Sequence, residues 1–280
     1  MSDVLRVRYP DQNGLGLGRN VNHDSRSRRF PVRADKPITS VRWERRVPIF
    51  NQSDLGSCTG NAGLGCMGTD PFFGTVANGQ PWVFDQAGAV DLYSAATTLD
   101  AFFGTYPPTD TGSDGLSIAK VLQSQGWISG YTHAFGLEQF LSGLMSAPCI
   151  VGTEWTEAMS FPDAEGVVRV IGQVQGGHEY CAVGFEADRD LVWFANSWGP
   201  EWAKDGYFAM TTQDFGALLA RNGDATFFTP VTAPAPRPIP EQDPDRVLAD
   251  ALRTWAGKSQ ATTSRKQRAA VAAWLKARGL

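Results

Sequence analysis

One cysteine, one histidine and two side-chain amides, spread over three short segments, are the residues of this chain best suited to covalent chemistry. Gln52 precedes Cys58 by six residues in a turn rich in Gly and Ser. His178 follows two glycines at the start of a strand-like run, and Asn196 lies among tryptophans. A thiol, an imidazole and two amides are the groups that cysteine-based acyl transfer requires.

Cys58 is the candidate nucleophile because the sequence predicts that it opens a helix. A helix N-terminus and a nearby imidazolium both favour the reactive thiolate. The chain has three histidines to supply that imidazole. His23 lies in a basic arm and His133 in a polar loop, so context and elimination both favour His178 as the base.

The two amides fit supporting roles at such a site. An imidazole that serves as base and then as acid needs a fixed partner on its other nitrogen, and Asn196 fits that role. Trp193, Trp198 and Trp202 would shield the bond from water. A tetrahedral intermediate also needs donors for its negative charge, which the Cys58 amide and the Gln52 side chain could supply.

The other cysteines carry no such signal. Cys66, Cys149 and Cys181 lie in apolar patterns, where a cysteine is usually an inert core residue. None of the four cysteines forms a CxxC pair, so we expect no disulfide scaffold, no metal site and a reducing compartment. No phosphate loop occurs, and no cofactor is expected.

Helical patterns fill the first half of the chain and strand patterns the second. Apolar spacing and capping residues predict helices over residues 58–67, 85–100 and 116–126. After Pro148, β-rich runs separated by Gly, Asp and Pro predict strands at residues 149–153, 166–171, 179–185, 191–195 and 206–210. Helices followed by strands predict an α+β protein of two lobes.

Charge divides the chain into three parts. Residues 1–46 carry a net charge of +6, residues 47–230 one of −15, and residues 231–280 one of +5. The basic segments either fold back on the acidic body or dock on an acidic partner. A nucleic-acid role has little support, because the body is acidic and the tail lacks interleaved aromatic residues.

Composition also predicts the domain organisation. Residues 1–37 form an extended basic arm and residues 38–230 the globular domain. A proline-rich linker follows over residues 231–244, and residues 245–280 form a helical tail with apolar stripes. No apolar run is long enough to cross a bilayer, and the N-terminus has no secretory h-region. The expected location is therefore the cytoplasm, with no membrane partner.

The three segments Gln52–Ala62, Gly177–Phe185 and Asn196–Tyr207 resemble the papain-like cysteine peptidases, in which Gln, Cys, His and Asn occur in this order. The resemblance implies a two-lobed fold, with a helical lobe whose central helix carries the cysteine and an antiparallel, β-barrel-like lobe. It implies these roles: Gln52 as oxyanion donor, Cys58 as nucleophile, His178 as base and acid, Asn196 as orienter of the histidine, and Trp198 as cover of their bond.

A looser match concerns substrate binding. Gly112-Ser113-Asp114-Gly115 resembles the glycine-rich loop that pairs with substrate backbone in that family. Gly112, Gly115 and Gly177 are therefore expected beside a peptide substrate. Leu55 stands where lysosomal relatives carry a disulfide cysteine, and the Leu-Gly-Ser-Cys-Thr stretch resembles a bacterial and phage branch. Residues 1–46 are too short and too polar for the usual inhibitory prodomain.

These observations lead to one prediction and one alternative. The chain is predicted to be a thiol hydrolase that cleaves peptide or related acyl bonds through Cys58, His178 and Asn196, with Gln52 in the oxyanion hole. The alternative is a structural component of a larger assembly, plausibly a phage particle, in which the arm and residues 231–280 dock partner proteins. Transfer of the acyl group to an amine instead of water is a weaker option.

Overall fold

The computed structural model describes residues 4–12, 14–76 and 83–231. Six α-helices lie in this part of the chain: α1 Cys58–Met67, α2 Phe72–Val76, α3 Gln86–Leu99, α4 Gly115–Ser124, α5 Leu137–Leu144 and α6 Thr212–Ala220. The strands are β1 Val4–Val7, β2 Val21–Asp24, β3 Val41–Arg42, β4 Ile128–His133, β5 Cys149–Thr156, β6 Val174–Glu186, β7 Leu191–Ala195, β8 Tyr207–Thr211 and β9 Asp224–Pro230.

The main sheet has seven antiparallel strands in the order β4-β9-β5-β6-β7-β8, with β3 paired to β6. The predicted barrel-like lobe is therefore wrong in one respect, because the described sheet is open. The long strand β6 explains this architecture. Its neighbours β5 and β7 pair with different stretches of it, with a register shift between Ala182 and Gly184 on the β7 side.

Two hydrophobic cores flank the sheet, as expected from the alternation of side chains along a strand. Cys181 and Val183 of β6 pack in one core with residues of α1, α3 and α4. Tyr180 and Ala182 pack in the other, with residues of α5 and α6. The chain thus has the predicted α+β character, and its site-bearing elements α1 and β6 pack against each other through the first core.

The sequence-based helices agree well with the structure, whereas two of the other local predictions are wrong. α1 runs over the residues predicted for it, and α3 lies within 85–100. The predicted strand at 166–171 is absent; Val167 makes only an isolated bridge to Ala209. His133 lies on β4 instead of in a polar loop.

The described part of the N-terminal arm lies against the body, and Ser25–Arg29 within it form a 3-10 helix. β1 and β2 form an antiparallel ribbon in which Val4 pairs with Asp24 and Val7 with Val21. Between them the chain leaves the ribbon, and residues 16–20 are buried. The boundary at residue 38 stays a prediction. The predicted linker and tail lie, apart from Val231, outside the described residues, as does the assembly role assigned to them.

All four cysteines are buried and free. Among the described residues, no group of three or more His, Cys, Asp or Glu side chains is placed to hold a metal ion. No helix within the same residues has the length and apolar character needed to cross a bilayer.

Candidate active site

Cys58 is the first residue of α1, so its sulfur lies at the positive end of the helix. The side chain is fully buried. Burial raises the pKa of the Cys58 thiol to about 12, although backbone amides of Glu179, Gly18 and Thr59 favour the thiolate. In this state the thiol is neutral at physiological pH. The Glu179 amide on β6 and the arm's Gly18 amide both face the sulfur.

His178 is held by Asn196, as the sequence predicted for this pair. The imidazole Nε2 lies 2.7 Å from Asn196 Oδ1, and the same oxygen accepts the Ser197 amide at 2.8 Å. Because Oδ1 can only accept, Nε2 carries the hydrogen and Nδ1 is left with its lone pair. Nδ1 has no hydrogen-bond partner among the described residues. His178 therefore presents Nδ1 as the basic nitrogen.

Burial also sets the charge of this imidazole. It lowers the pKa of His178 to about 4, while the bond to Asn196 and the charge of Asp11 act in the opposite direction. The histidine is fully buried and neutral at pH 7. The thiol and the imidazole are therefore both neutral in this structure and do not form a thiolate–imidazolium pair.

Two tryptophans contact the His178 ring, and a third packs behind them. Trp198 stacks on the His178 ring, with centroids 5.1 Å apart and an angle of 29°. Trp155 meets the same ring edge-on at 5.0 Å. Trp202 packs against Trp198 at 5.1 Å. Trp198 lies where it was predicted, whereas Trp155, on β5, was missed because its strand carried no motif.

The Gln52 side chain is fixed at both ends. Its Oε1 accepts the Ser197 hydroxyl at 2.5 Å, and its Nε2 donates to the Leu55 carbonyl at 2.8 Å. Nε2 also donates to the carbonyl of Gly16, in the arm, at 2.7 Å. Gln52 thus presents its side-chain N–H groups to two backbone carbonyls, one in its own turn and one in the arm.

The arm runs through the cleft as an extended strand. Gly18 forms a parallel bridge with Gly177, and Arg19 forms one with Ser113. The Arg19 amide donates to the Gly177 carbonyl at 2.9 Å. Ser113 donates its amide to Gly18 at 2.9 Å and accepts that of Asn20 at 2.7 Å. The two sides of the cleft therefore both pair with the arm's backbone.

Glycines allow this close approach. A Cβ on Gly18 would lie 1.9 Å from the Gly56 carbonyl oxygen, and one on Gly112 would lie 2.2 Å from the Gly18 oxygen. Gly112 also has a φ of 63°. A Cβ on Gly177 would lie 2.2 Å from the Arg19 oxygen. Two of the predicted substrate-binding glycines, Gly112 and Gly177, thus contact a bound backbone directly.

Gly115, the third predicted substrate-binding glycine, has a different place. It opens α4, and a Cβ there would lie 2.5 Å from the Glu179 carboxylate. It makes room for an acidic side chain instead of touching the arm's backbone. The sequence reasoning missed Glu179, although it directly follows His178, and it missed the arm's Gly14-Leu-Gly-Leu-Gly-Arg19 stretch, whose alternating glycines could have signalled a closely packed strand.

Comparison with known proteins identifies the family that shares these features. A sequence model of the papain family of cysteine proteases matches residues 107–221. Cathepsin B-like CP2 of Giardia intestinalis is 50% identical over 60 residues, which is 20% of each protein. Cathepsin B-like CP3 of the same organism is 52% identical over 40 residues, 13% of each. The chain therefore aligns with only a small part of these relatives.

Solved structures show the same fold. Xylellain, a cysteine protease from Xylella fastidiosa, superposes with a TM-score of 0.58 at 15% identity, covering 82% of this chain and 100% of its own. ProCathepsin B S9 from Trypanosoma congolense has a TM-score of 0.54 at 13% identity, covering 72% and 83%. The predicted papain-like fold and family resemblance are confirmed, and the bacterial and phage branch is not singled out.

Proposed function

Residues 107–221 match the sequence model of the papain family of cysteine proteases, and from that match we propose that the chain is a thiol peptidase whose cleft is closed by its own N-terminal arm. One observation carries the proposal: an extended peptide lies across the cleft, and its Gly16 carbonyl accepts a hydrogen bond from Gln52 Nε2 at 2.7 Å. A cleft that binds peptide backbone on both walls favours peptides over other acyl substrates.

The first half of the reaction follows from the neighbours of Cys58. As the sulfur attacks the carbonyl carbon of the substrate amide, its proton passes to His178 Nδ1. The carbonyl π electrons move to oxygen, which accepts hydrogen bonds from Gln52 Nε2 and the Cys58 amide. The intermediate then collapses, the C–N bond breaks, and the imidazolium returns the proton to the leaving amine.

The second half regenerates the thiol. Water gives a proton to His178 Nδ1 and attacks the thioester carbon. The C–S bond breaks, the acid product leaves, and the sulfur recovers its proton. Throughout, the bond from Nε2 to Asn196 Oδ1 holds the imidazole in the tautomer that has Nδ1 free.

The arm inhibits this chemistry by occupying the site and by excluding water from it. Its Gly16 carbonyl takes the donor that an oxyanion needs, and its backbone fills the strand positions beside Gly177 and Ser113. It also excludes water, and burial raises the pKa of Cys58 and lowers that of His178. When the arm leaves, water returns to both groups, and the thiolate–imidazolium pair becomes accessible.

The test compares full-length wild type with Gly18→Leu, a variant whose side chain cannot fit against the Gly56 carbonyl. An epoxysuccinyl inhibitor is added and the adduct is located by peptide mass mapping. One adduct is expected on Cys58. It should form about 10- to 100-fold faster in Gly18→Leu, because overpacking of this kind destabilises the state with the arm in the cleft by ~1–3 kcal/mol. Cys58→Ser should take up none.

Gly130→Ala is the matched control, because a Cβ there would lie 3.8 Å from its nearest neighbour. It should be labelled at the wild-type rate. Arg19→Ala, which loosens the arm without a steric clash, guards against misfolding of Gly18→Leu. The proposal is wrong if both opened variants melt cooperatively and yet neither acquires an adduct on Cys58 nor cleaves denatured casein.

A further inference from the structure

The turn that leads into Cys58 is tied to a helix by one carboxylate. The Gly56 amide, two residues before Cys58, donates to Asp110 Oδ2 at 2.7 Å. The other oxygen of the same carboxylate accepts the hydroxyl of Tyr93, a residue of α3, at 2.5 Å. A Cβ on Gly56 would lie 2.8 Å from Asp110 Oδ1, so the glycine allows the carboxylate to approach the turn. Asp110 therefore joins the turn to α3.

The Tyr93 hydroxyl also holds the glycine-rich loop. It accepts the amides of Thr111 at 3.2 Å and of Gly112 at 2.9 Å. Tyr93 is 0% exposed, and burial together with the hydrogen bond to Asp110 raises its pKa, so the hydroxyl keeps the proton that it donates to the carboxylate. We call Asp110 and Tyr93 the clamp, because these two side chains connect the turn at Gly56 with the loop at Gly112.

The clamp satisfies backbone groups that lie in irregular structure. Gly56, Thr111 and Gly112 are buried and lie outside the helices and strands. A buried amide without a hydrogen-bond partner is unfavourable, and a side-chain acceptor can supply the bond that a helix or a sheet would otherwise provide. All four cysteines of the chain are free. The turn and the loop are therefore held together by hydrogen bonds and packing, with the clamp between them.

Both segments that the clamp joins face the peptide-binding cleft. A Cβ on Gly18 of the arm would lie 1.9 Å from the Gly56 carbonyl oxygen. The carbonyl of the same arm residue accepts the amide of Ser113, which directly follows Gly112, at 2.9 Å. Gly18 thus contacts both the turn and the loop. An extended peptide bound in place of the arm will meet the same two segments, at the separation that the clamp sets.

We propose that Asp110 and Tyr93 are positioning residues for the peptidase reaction: they hold the loop that binds substrate backbone in register with the turn that carries Cys58. The proposal rests on the peptidase function proposed above. The clamp acts through Gly56 and Gly112 and does not itself contact the reacting atoms. A bound peptide must bring its carbonyl carbon within about 3–3.5 Å of the sulfur, and a misplacement of about 1 Å can cost about 100-fold in rate.

The main experiment compares two reactions of the same thiol. Asp110→Ala and Tyr93→Phe are each made in full-length Arg19→Ala, whose arm is loosened. One reaction is the cleavage of a synthetic peptide that spans a site cut in casein; the other is the alkylation of Cys58 by iodoacetamide, which is too small to need the loop. In both clamp variants kcat/KM should fall about 10- to 100-fold, because the peptide is misplaced. Alkylation of Cys58 should not slow.

The kinetic constants separate positioning from binding. A misplaced loop should lower kcat itself, whereas a loop that only binds peptide less tightly would raise KM and leave kcat unchanged. Asp110→Asn keeps one oxygen to accept the Gly56 amide and cannot accept the Tyr93 hydroxyl at the same time. It should therefore retain more of kcat than Asp110→Ala does. Equal losses in the two variants would contradict the role of the Gly56 bond.

Two matched controls lie beside the clamp. Tyr106→Phe removes a hydroxyl from the ring that packs on Tyr93 with centroids 5.3 Å apart. Asp91→Ala removes an exposed acid from α3, two residues from Tyr93. Both should keep the kcat/KM of the Arg19→Ala parent. Should Asp110→Ala fail to melt cooperatively, Tyr93→Phe still tests the proposal, since it removes one hydroxyl and keeps the ring.

Clamp variants that melt cooperatively and cleave the peptide with the kcat of the parent overturn the proposal while the peptidase function stands. Equal slowing of peptide cleavage and of Cys58 alkylation also overturns it, because the thiol site as a whole would then be disturbed.

Failure of the peptidase function has a different signature. No cleavage by the Arg19→Ala parent and no inhibitor adduct on Cys58 would reject that function, and the positioning role with it. Hydrogen exchange then reports on the clamp by itself. In otherwise wild-type protein, Tyr93→Phe should speed exchange of the Thr111 and Gly112 amides about 5- to 10-fold, the factor that corresponds to one ordinary hydrogen bond, and Tyr106→Phe should not. Unchanged exchange in Tyr93→Phe would count against the clamp.

Discussion

The arm meets the body in two regions of the cleft that differ in what they recognise. At the thiol end, around Cys58, Gln52 and Gly18, the body meets the arm's backbone atoms and leaves room only for glycine at positions 16 and 18. At the other end, which we call the pocket end, Arg19 is held through its side chain by the Asp224 carboxylate and the Asn222 carbonyl. The first region thus meets the arm's backbone, and the second meets one of its side chains. Changes at the two ends should therefore have different effects.

The largest effect is expected from a substitution at the thiol end. His178→Ala removes the base, so kcat/KM should fall by about 10⁴-fold or more for every peptide. Initial rates of cleavage of denatured casein, measured in the Arg19→Ala background, check this loss. Unchanged rates would contradict the role of His178 as the base.

Removal of the oxyanion donor gives the next largest effect. Gln52→Ala deletes the N–H that lies 2.7 Å from the Gly16 carbonyl. We expect kcat to fall about 100- to 1,000-fold, the usual loss for one such donor. Measurement uses active-site-titrated enzyme. An unchanged kcat would mean that Gln52 only stabilises its turn, through its bonds to Ser197 and Leu55, and takes no part in the reaction.

A change at the pocket end should act in the opposite way. Gly152→Ala places a methyl group 2.5 Å from the Glu179 carboxylate and 2.9 Å from that of Asp224. The Arg19 side chain should lose its place, because the same methyl group would lie 2.6 Å from its Nε. The inhibitor adduct on Cys58 should then form about 10- to 100-fold faster than in wild type, as for an overpacked site costing ~1–3 kcal/mol. Gly130→Ala is the control for a glycine change in an open place on a strand. A labelling rate equal to that of wild type would show that Arg19 does not hold the arm in the cleft.

The smallest effect concerns pH and stability. Burial lowers the pKa of His178 to about 4, below the ~6.5 of an unfolded histidine, so the stability it contributes is present above pH 6.5 and is lost as pH falls toward 4. Between pH 7 and pH 5 the loss should be about 2 kcal/mol. Urea unfolding of wild type and His178→Gln at both values isolates it. Equal pH dependence of the two proteins would contradict the neutral, buried imidazole.

Local sequence patterns predicted candidate residues for the thiol end, whereas they predicted none of the contacts at the pocket end. Cys58, His178 and Asn196 belong to local patterns, a helix start, a strand and a turn, so short windows of sequence located them. The contacts of Gly18 with Gly177 and of Arg19 with Ser113 and Asp224 join residues far apart in the chain. Such pairings depend on strand register and on glycine positions, and neither produces a periodic pattern in the sequence.

The same contrast explains why the sequence did not predict the position of the arm. Its polar, glycine-rich composition predicted an extended segment and gave no reason to place it in the cleft. Backbone pairing needs no hydrophobic stripe, so a strand bound in this way resembles a loop in its sequence. The basic charge of the arm was a partial signal, since one of its arginines, Arg19, does meet acidic residues of the body.

The ribbon of β1 and β2 holds the cleft-bound segment at both of its ends, since Val7 pairs with Val21. The inhibitor and the site therefore share one chain, and the relevant quantity is an effective concentration, on the order of millimolar for a short tether. An inhibitor present at that concentration needs only weak affinity to keep the cleft filled. A single cut between Arg8 and Gly16 would leave the segment attached through Val21 alone. Its new free end could then leave the cleft while the contacts themselves stay unchanged.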